Sequence, residues 1–173
     1  MGLSLNQFTN KAQEAILDAQ RLAEARHHGK IDPEHLLLAL MQQDGGICRA
    51  ILDKAGTDLE NLAQQVGAFL ERLPKTGSQG ATPYVSKKLQ SVFQRAEREA
   101  ASLRDEFTGS EHLLIGLALE RGGEAFDLLT SRGINRQVTL ELIRAVRGNR
   151  RITEPNEEEG FGALEKFCTD LVQ

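Results

Sequence analysis

"DPEHLLLAL" at Asp32–Leu40 and "GSEHLLIGL" at Gly109–Leu117 are two copies of one phrase, each with glutamate and histidine ahead of a leucine-rich run. A shift of about 77 residues superposes far more than these two lines, a length that suits a duplicated subdomain better than a solenoid unit. Gln13 falls on Gln90, Ala19 on Ala96, Arg21 on Arg98, Glu34 on Glu111, His35 on His112, Gly45 and Gly46 on Gly122 and Gly123, and Gly56 on Gly133.

Within each half the apolar spacing predicts four helices. Phe8, Ala12, Ala15, Ile16, Ala19, Leu22 and Ala23 recur at threes and fours, and Val85, Leu89, Val92, Phe93, Ala96 and Leu103 repeat that stripe. Asp32 is an expected N-cap with Pro33 in the first helical position, where a missing N–H costs nothing. Gly45 and Gly46 stop the short leucine helix, a third helix runs through Ile51 and Leu52 to Gly56, and a fourth carries Leu62, Val66 and Phe69. The second half repeats the order through Leu113, Leu128 and Leu140. No period-two strand pattern of useful length occurs, so the expected class is all-α: two pseudo-symmetric four-helix repeats, about 8–73 and 85–147, in one domain spanning 1–147.

The stretch Pro74–Pro83 has turn composition and reads as a surface loop between the repeats. After Arg147 the chain turns polar and charged, so 148–160 is expected to be a linker too poor in apolar residues to order itself. From Phe161 to Gln173 a helical stripe returns, the expected start of a following domain or a middle helix. Apolar residues are 40% of 173, enough for a sizeable core, and no run approaches a membrane span or a signal peptide. Neither a membrane nor nucleic acid is an expected partner. Net charge is −4, aromatics are 5% and tryptophan is absent, and the basic run at Arg147 reads as a solvated helix end. Cys48 and Cys168 lack disulfide or zinc-ligand spacing, which fits a cytoplasmic chain.

Catalytic signatures are missing: no phosphate loop, no nucleophile elbow and no paired metal-ligating histidines occur. This predicts a chain with no catalytic residues, no metal and no cofactor of its own. His27 and His28 read as helix-end residues, and His35 and His112 as packed, hydrogen-bonded structural groups. The repeated carboxylate has two readings. Glu34 and Glu111 would be stabilised by the dipole of their own helix, by about 0.3–1 kcal/mol, or the pair would hold a cationic group near the seam of the duplication.

"FTNKAQEAI" from Phe8, the paired "PEHLLLAL" and "SEHLLIGL", and "VRGNRRITEPNEEEGFGALEKF" from Val146 together resemble the N-terminal repeat domain of the Clp ring-forming AAA+ unfoldases, specifically the ClpB-type disaggregases. The resemblance covers the whole chain. It implies a substrate-recognition domain that binds unfolded or aggregated polypeptide and delivers it to an ATPase ring. It also implies ATP and magnesium in ATPase domains outside this chain, a monomeric isolated domain, a hexameric full-length protein and a co-chaperone engaged through that protein. The polar substrate-contacting positions it implies are Thr9, Asp105 and Glu111, with Glu34 the repeat mate of Glu111. Family members also present an apolar groove beside the second long helix. Here Arg95, Glu99 and His112 replace leucines of some relatives, so the resemblance implies either a more polar groove or an apolar floor shifted to Leu89, Val92 and Phe93. The second reading is an adaptor-docking or regulatory domain of the ClpC or ClpA type, in which paired carboxylates recognise phosphorylated arginine.

Overall fold

A computed structural model of the chain describes residues 5–77, 80–148 and 150–156. After a 3-10 turn at Leu5–Gln7 come α1 (Asn10–Ala25), α2 (Pro33–Gln42), α3 (Ile47–Lys54) and α4 (Leu59–Arg72). The second set is α5 (Lys87–Ser102), α6 (Ser110–Leu119), α7 (Glu124–Ser131) and α8 (Arg136–Arg147). The duplication is carried down to single hydrogen bonds. Thr9 Oγ1 accepts the Ala12 N–H and Ser86 Oγ accepts that of Leu89, both at 3.1 Å. Asp58 and Asn135 cap α4 and α8 in the same way, at 3.1 and 2.9 Å. Each cap satisfies an amide that the first helical turn leaves without a partner. At the far ends of α1 and α5 the chain turns through His27 and Arg104, with φ of 55° and 61°, to close matching C-terminal motifs.

The central pair, α2 and α6, is buried on every side, from Pro33 to Met41 and from Ser110 to Ala118. That explains a leucine run with no polar stripe: a helix apolar all round belongs in the core. The other helices pack around this pair and across the repeat boundary, α3 against α6 and α8, and α7 against α2 and α4. α5 lies closest to α6, where a Cβ on Gly116 would meet the Val92 carbonyl oxygen at 2.6 Å. Phe8 and Phe93 meet edge to face at 5.8 Å between ring centres, joining the two repeats directly. The halves also exchange short parallel pairings, β1 (Lys30–Ile31) with β2 (Tyr84–Val85) and Phe8 with Thr108. Period two was not visible in the sequence because each strand is two residues long.

Three expectations change. Leu89, Val92 and Phe93 are 1%, 0% and 2% exposed, so they are core, because the stripe of α5 that carries them faces α6 and Phe8 rather than solvent. The outer face of α5 instead carries Arg95 paired with Glu120 and Glu99 paired with Arg136, both at 3.0 Å. Arg147 is 6% exposed and is no solvated helix end. Finally, the stretch read as linker from 148 returns to the body: Ile152 is 0% exposed within the main core cluster. A branched aliphatic side chain in a polar run is buried there, together with main-chain hydrogen bonds from the body. The expected helix at 161–173, Cys168 and the remainder of the expected linker lie outside the described residues.

Candidate functional site

The histidines of the repeated phrase serve their own helices first. His35 Nδ1 accepts the Asp32 N–H at 2.9 Å and His112 Nδ1 accepts the Gly109 N–H at 2.8 Å, the back-bonding usually done by glutamate or glutamine at this helical position. With Nδ1 accepting, each ring's proton sits on Nε2 and points inward. There the repeats diverge. His35 Nε2 meets His28 Nδ1 at 2.8 Å, whereas His112 Nε2 meets Asp105 Oδ2 at 2.8 Å, His28 and Asp105 being equivalent positions. The first pair is kept neutral: burial lowers the pKa of His28 and, together with His28 and Arg26, takes that of His35 down to about 4.

Around Asp105 the second repeat builds a buried ionic cluster. Arg147 reaches in from the last turn of α8 and grips Asp105 with two nitrogens, Nη2 to Oδ1 at 2.6 Å and Nη1 to Oδ2 at 3.1 Å. Nη1 also contacts Glu111 Oε2 at 3.3 Å. Burial alone would raise the pKa of Asp105, but hydrogen bonds from His112 and Arg147 overcome it and hold the carboxyl below its usual range. In the first repeat Leu70 stands where Arg147 stands in the second, so this cluster belongs to one half alone.

The cluster's second task is to hold the segment that follows α8. Asp105 Oδ1 accepts the Ile152 N–H at 2.8 Å, the Glu106 N–H donates to the Ile152 carbonyl at 2.7 Å, and Arg147 Nη2 donates to the Arg150 carbonyl at 3.0 Å. Further along, the Asn10 N–H donates to the Pro155 carbonyl at 2.8 Å. Residues 150–156 thus form a strap gripped mainly through its main chain, with one aliphatic side chain sunk into the core.

Thr9, Asp105 and Glu111 are brought together by this arrangement. Asp105 bonds the strap, Glu111 braces the arginine that bonds it, and Thr9 precedes the amide that takes Pro155. All three are buried, at 0%, 8% and 0% exposure, so with the strap docked they present no open surface. Glu34 lies elsewhere. Its Oε2 accepts the Ala125 N–H at 2.8 Å, capping the start of α7 in the opposite repeat, and burial raises its pKa against the pull of that N–H. The cationic group expected between the two glutamates is, for Glu111, the chain's own Arg147. Arg147 and Ile152 were missed in the sequence because a basic helix end and a lone isoleucine carry no periodic signal; a mismatch between the repeats, Arg147 on Leu70 and Asp105 on His28, was the available clue.

The wall equivalent to Asp105–Gly109 in the first repeat, His28–Asp32, is paired with β2 and crossed at Thr76–Gly77, where the Gly77 N–H donates to the His27 carbonyl at 2.9 Å. It lines an open groove of about 610 Å³ with Leu73, Pro74 and Tyr84, the last 66% exposed. Among the described residues no group of three or more His, Cys, Asp or Glu side chains is placed to hold a metal, and no helix is long and apolar enough to cross a membrane.

Comparison with known proteins agrees with this build. The chaperone ClpB of Bacillus cereus is 38% identical over 98% of this chain, and ClpB of Vibrio cholerae is 37% identical over 99%. In both cases the chain spans about a fifth of the relative's length. Among solved structures, the Hsp104 N-terminal domain from Candida albicans has a TM-score of 0.75 at 19% identity, covering 88% of this chain and 99% of that one. A ClpV N-domain in complex with a VipB peptide has a TM-score of 0.67 at 20% identity, over 89% of this chain and 96% of that one. These structural likenesses show a shared fold. A family model for the Clp repeat N-terminal domain matches residues 7–132, from the turn before α1 through α7, and the chain belongs to that family.

Proposed function

We propose that this chain is the substrate-recognition domain of a ClpB-type disaggregase, binding unfolded or aggregated polypeptide and delivering it to an ATPase ring outside these residues. On this reading the domain has no catalysis of its own. ATP and magnesium act in the ATPase domains, a co-chaperone engages the complete cytoplasmic protein, and that protein assembles as a hexamer. The observation that carries the reading is the edge formed by Asn10, Asp105 and Glu106, which already holds a chain segment by its main-chain atoms. A site that grips backbone and one aliphatic side chain suits partners that share no sequence, as unfolded chains do. The alternative, recognition of phosphorylated arginine by paired carboxylates, is less well supported, since Glu34 caps α7 and Glu111 faces Arg147.

The test is a titration of one protein in two states. A disulfide-rich model protein, reduced and carboxymethylated so that it stays unfolded, should bind saturably with micromolar or weaker affinity, about 8 kcal/mol or less. The same protein with disulfides intact should not bind. Equal binding of both states, or of neither, contradicts the reading.

A further inference from the structure

We propose that the cleft beneath residues 150–156 is itself a polypeptide-binding cleft, occupied in cis by the strap, and that a client binds there by displacing it. The inference rests on the recognition role proposed above and names where that recognition occurs. Its occupant is an extended segment with an aliphatic residue, preferably β-branched, at the position of Ile152.

Three observations carry it. First, the contacts that hold the strap are not peculiar to its sequence. The Ile152 N–H and carbonyl are each bonded, as is the carbonyl of Arg150, and any polypeptide offers such main-chain groups; the Pro155 carbonyl bonds from the turn that follows. The only buried side chain identified in the strap is that of Ile152. Second, the cleft is prebuilt by residues outside the strap. Asp105 is oriented by His112 and gripped by Arg147, and Arg147 is braced by Glu111, so the acceptor for an incoming N–H stays in place when the strap leaves. Third, a strap with one buried side chain must offset the conformational entropy of ordering the whole segment, which favours docking that is reversible rather than permanent.

Displacement has a consequence for the complete protein: binding a client would release residues 150–156 from the domain, lengthening the tether to whatever follows.

Hydrogen exchange of the unmodified chain decides the matter, with the carboxymethylated protein as probe. The Ile152 amide, bonded to Asp105 only while the strap is docked, should exchange about tenfold faster or more at saturating probe, while the Glu106 amide, which then donates to the client, stays protected. If the probe binds while the Ile152 amide stays protected, the client sits elsewhere, with the groove beside Tyr84 the first alternative, and the inference fails while the recognition role stands. Absence of any saturable binding removes both. An Ile152→Asp variant supplies a second reading, because an aspartate cannot enter the dry pocket and the cleft is then open. Its affinity for the probe should rise by about threefold or more, the factor by which docking had competed. Unchanged or weakened affinity in a variant with wild-type helical content overturns the proposal, and if the variant does not fold the exchange measurement still decides.

Discussion

Replacing Arg147 by leucine would strip the buried cluster of its one guanidinium and leave the carboxylates of Asp105 and Glu111, both with side chains 0% exposed, facing each other without it. Breaking a buried pair from one side costs about 3–5 kcal/mol, because the surviving charge stays desolvated. For a domain of this size each kcal/mol corresponds to about 2–4 °C, so the melting temperature should fall by about 6–20 °C. The first repeat supplies the control, since it places Leu70 and His28 where the second has Arg147 and Asp105. Adding Asp105→His to Arg147→Leu recreates that neutral arrangement, with His112 donating to a ring nitrogen as His35 does. The double variant should therefore lose less than the sum of the single variants, by a coupling of about 1 kcal/mol or more. Urea unfolding followed by circular dichroism at neutral pH measures all four corners of the cycle. A loss below about 1 kcal/mol for Arg147→Leu, or strict additivity in the double variant, would refute the picture of a dry, mutually dependent cluster.

Acidity should act through the first repeat as well. His35 has a folded pKa of about 4 against an unfolded value near 6.5, so the unfolded chain binds more protons between those values and stability should rise with pH across that window, by at most about 3 kcal/mol; urea midpoints at stepped pH check it, and a flat profile excludes it. Asp105 acts lower down, its stabilisation being complete at neutral pH and lost as pH falls through its depressed folded pKa. Gly116→Ala should cost about 1–3 kcal/mol, because its Cβ would meet a backbone oxygen at 2.6 Å and push α6 off α5. Truncation after Gly148 removes the strap's bonds to Asp105 and Arg147 and should lower the melting temperature measurably; an unchanged value would return the domain boundary to 147 and make the strap an idle contact.

The duplication was legible because it is written in spacing. Leu36, Leu37 and Leu40 against Leu113, Leu114 and Leu117, the glycines at 56 and 133, and Pro33 behind Asp32 each report a local constraint, and local constraints survive in a linear string. The resemblance drawn from the same phrases led to the right family for the same reason. What was not legible was direction and depth. The stripe of Leu89, Val92 and Phe93 reads the same whether it lines a surface groove or the core, and only the packing of α5 on α6 and Phe8 decides. The site residues Thr9, Asp105 and Glu111 are gathered by contacts that span the chain, from Asn10 to Pro155 and from Asp105 to Arg147 and Ile152, and no window of sequence contains them. Composition also misjudged residues 150–156, since a polar average hides one isoleucine that finds a pocket and a run of main-chain groups that find partners.

Backbone amide shifts of the 173-residue chain, recorded during titration with the carboxymethylated unfolded protein, test recognition at this edge most directly. Binding there requires the largest perturbations at Thr9 and Asn10, along Asp105–Glu111, and at Ile152, all in a chain whose helices stay intact. Perturbations confined to Gly29, Tyr84 and the wall of the first-repeat groove, with Asn10, Glu106 and Ile152 unmoved, would contradict it.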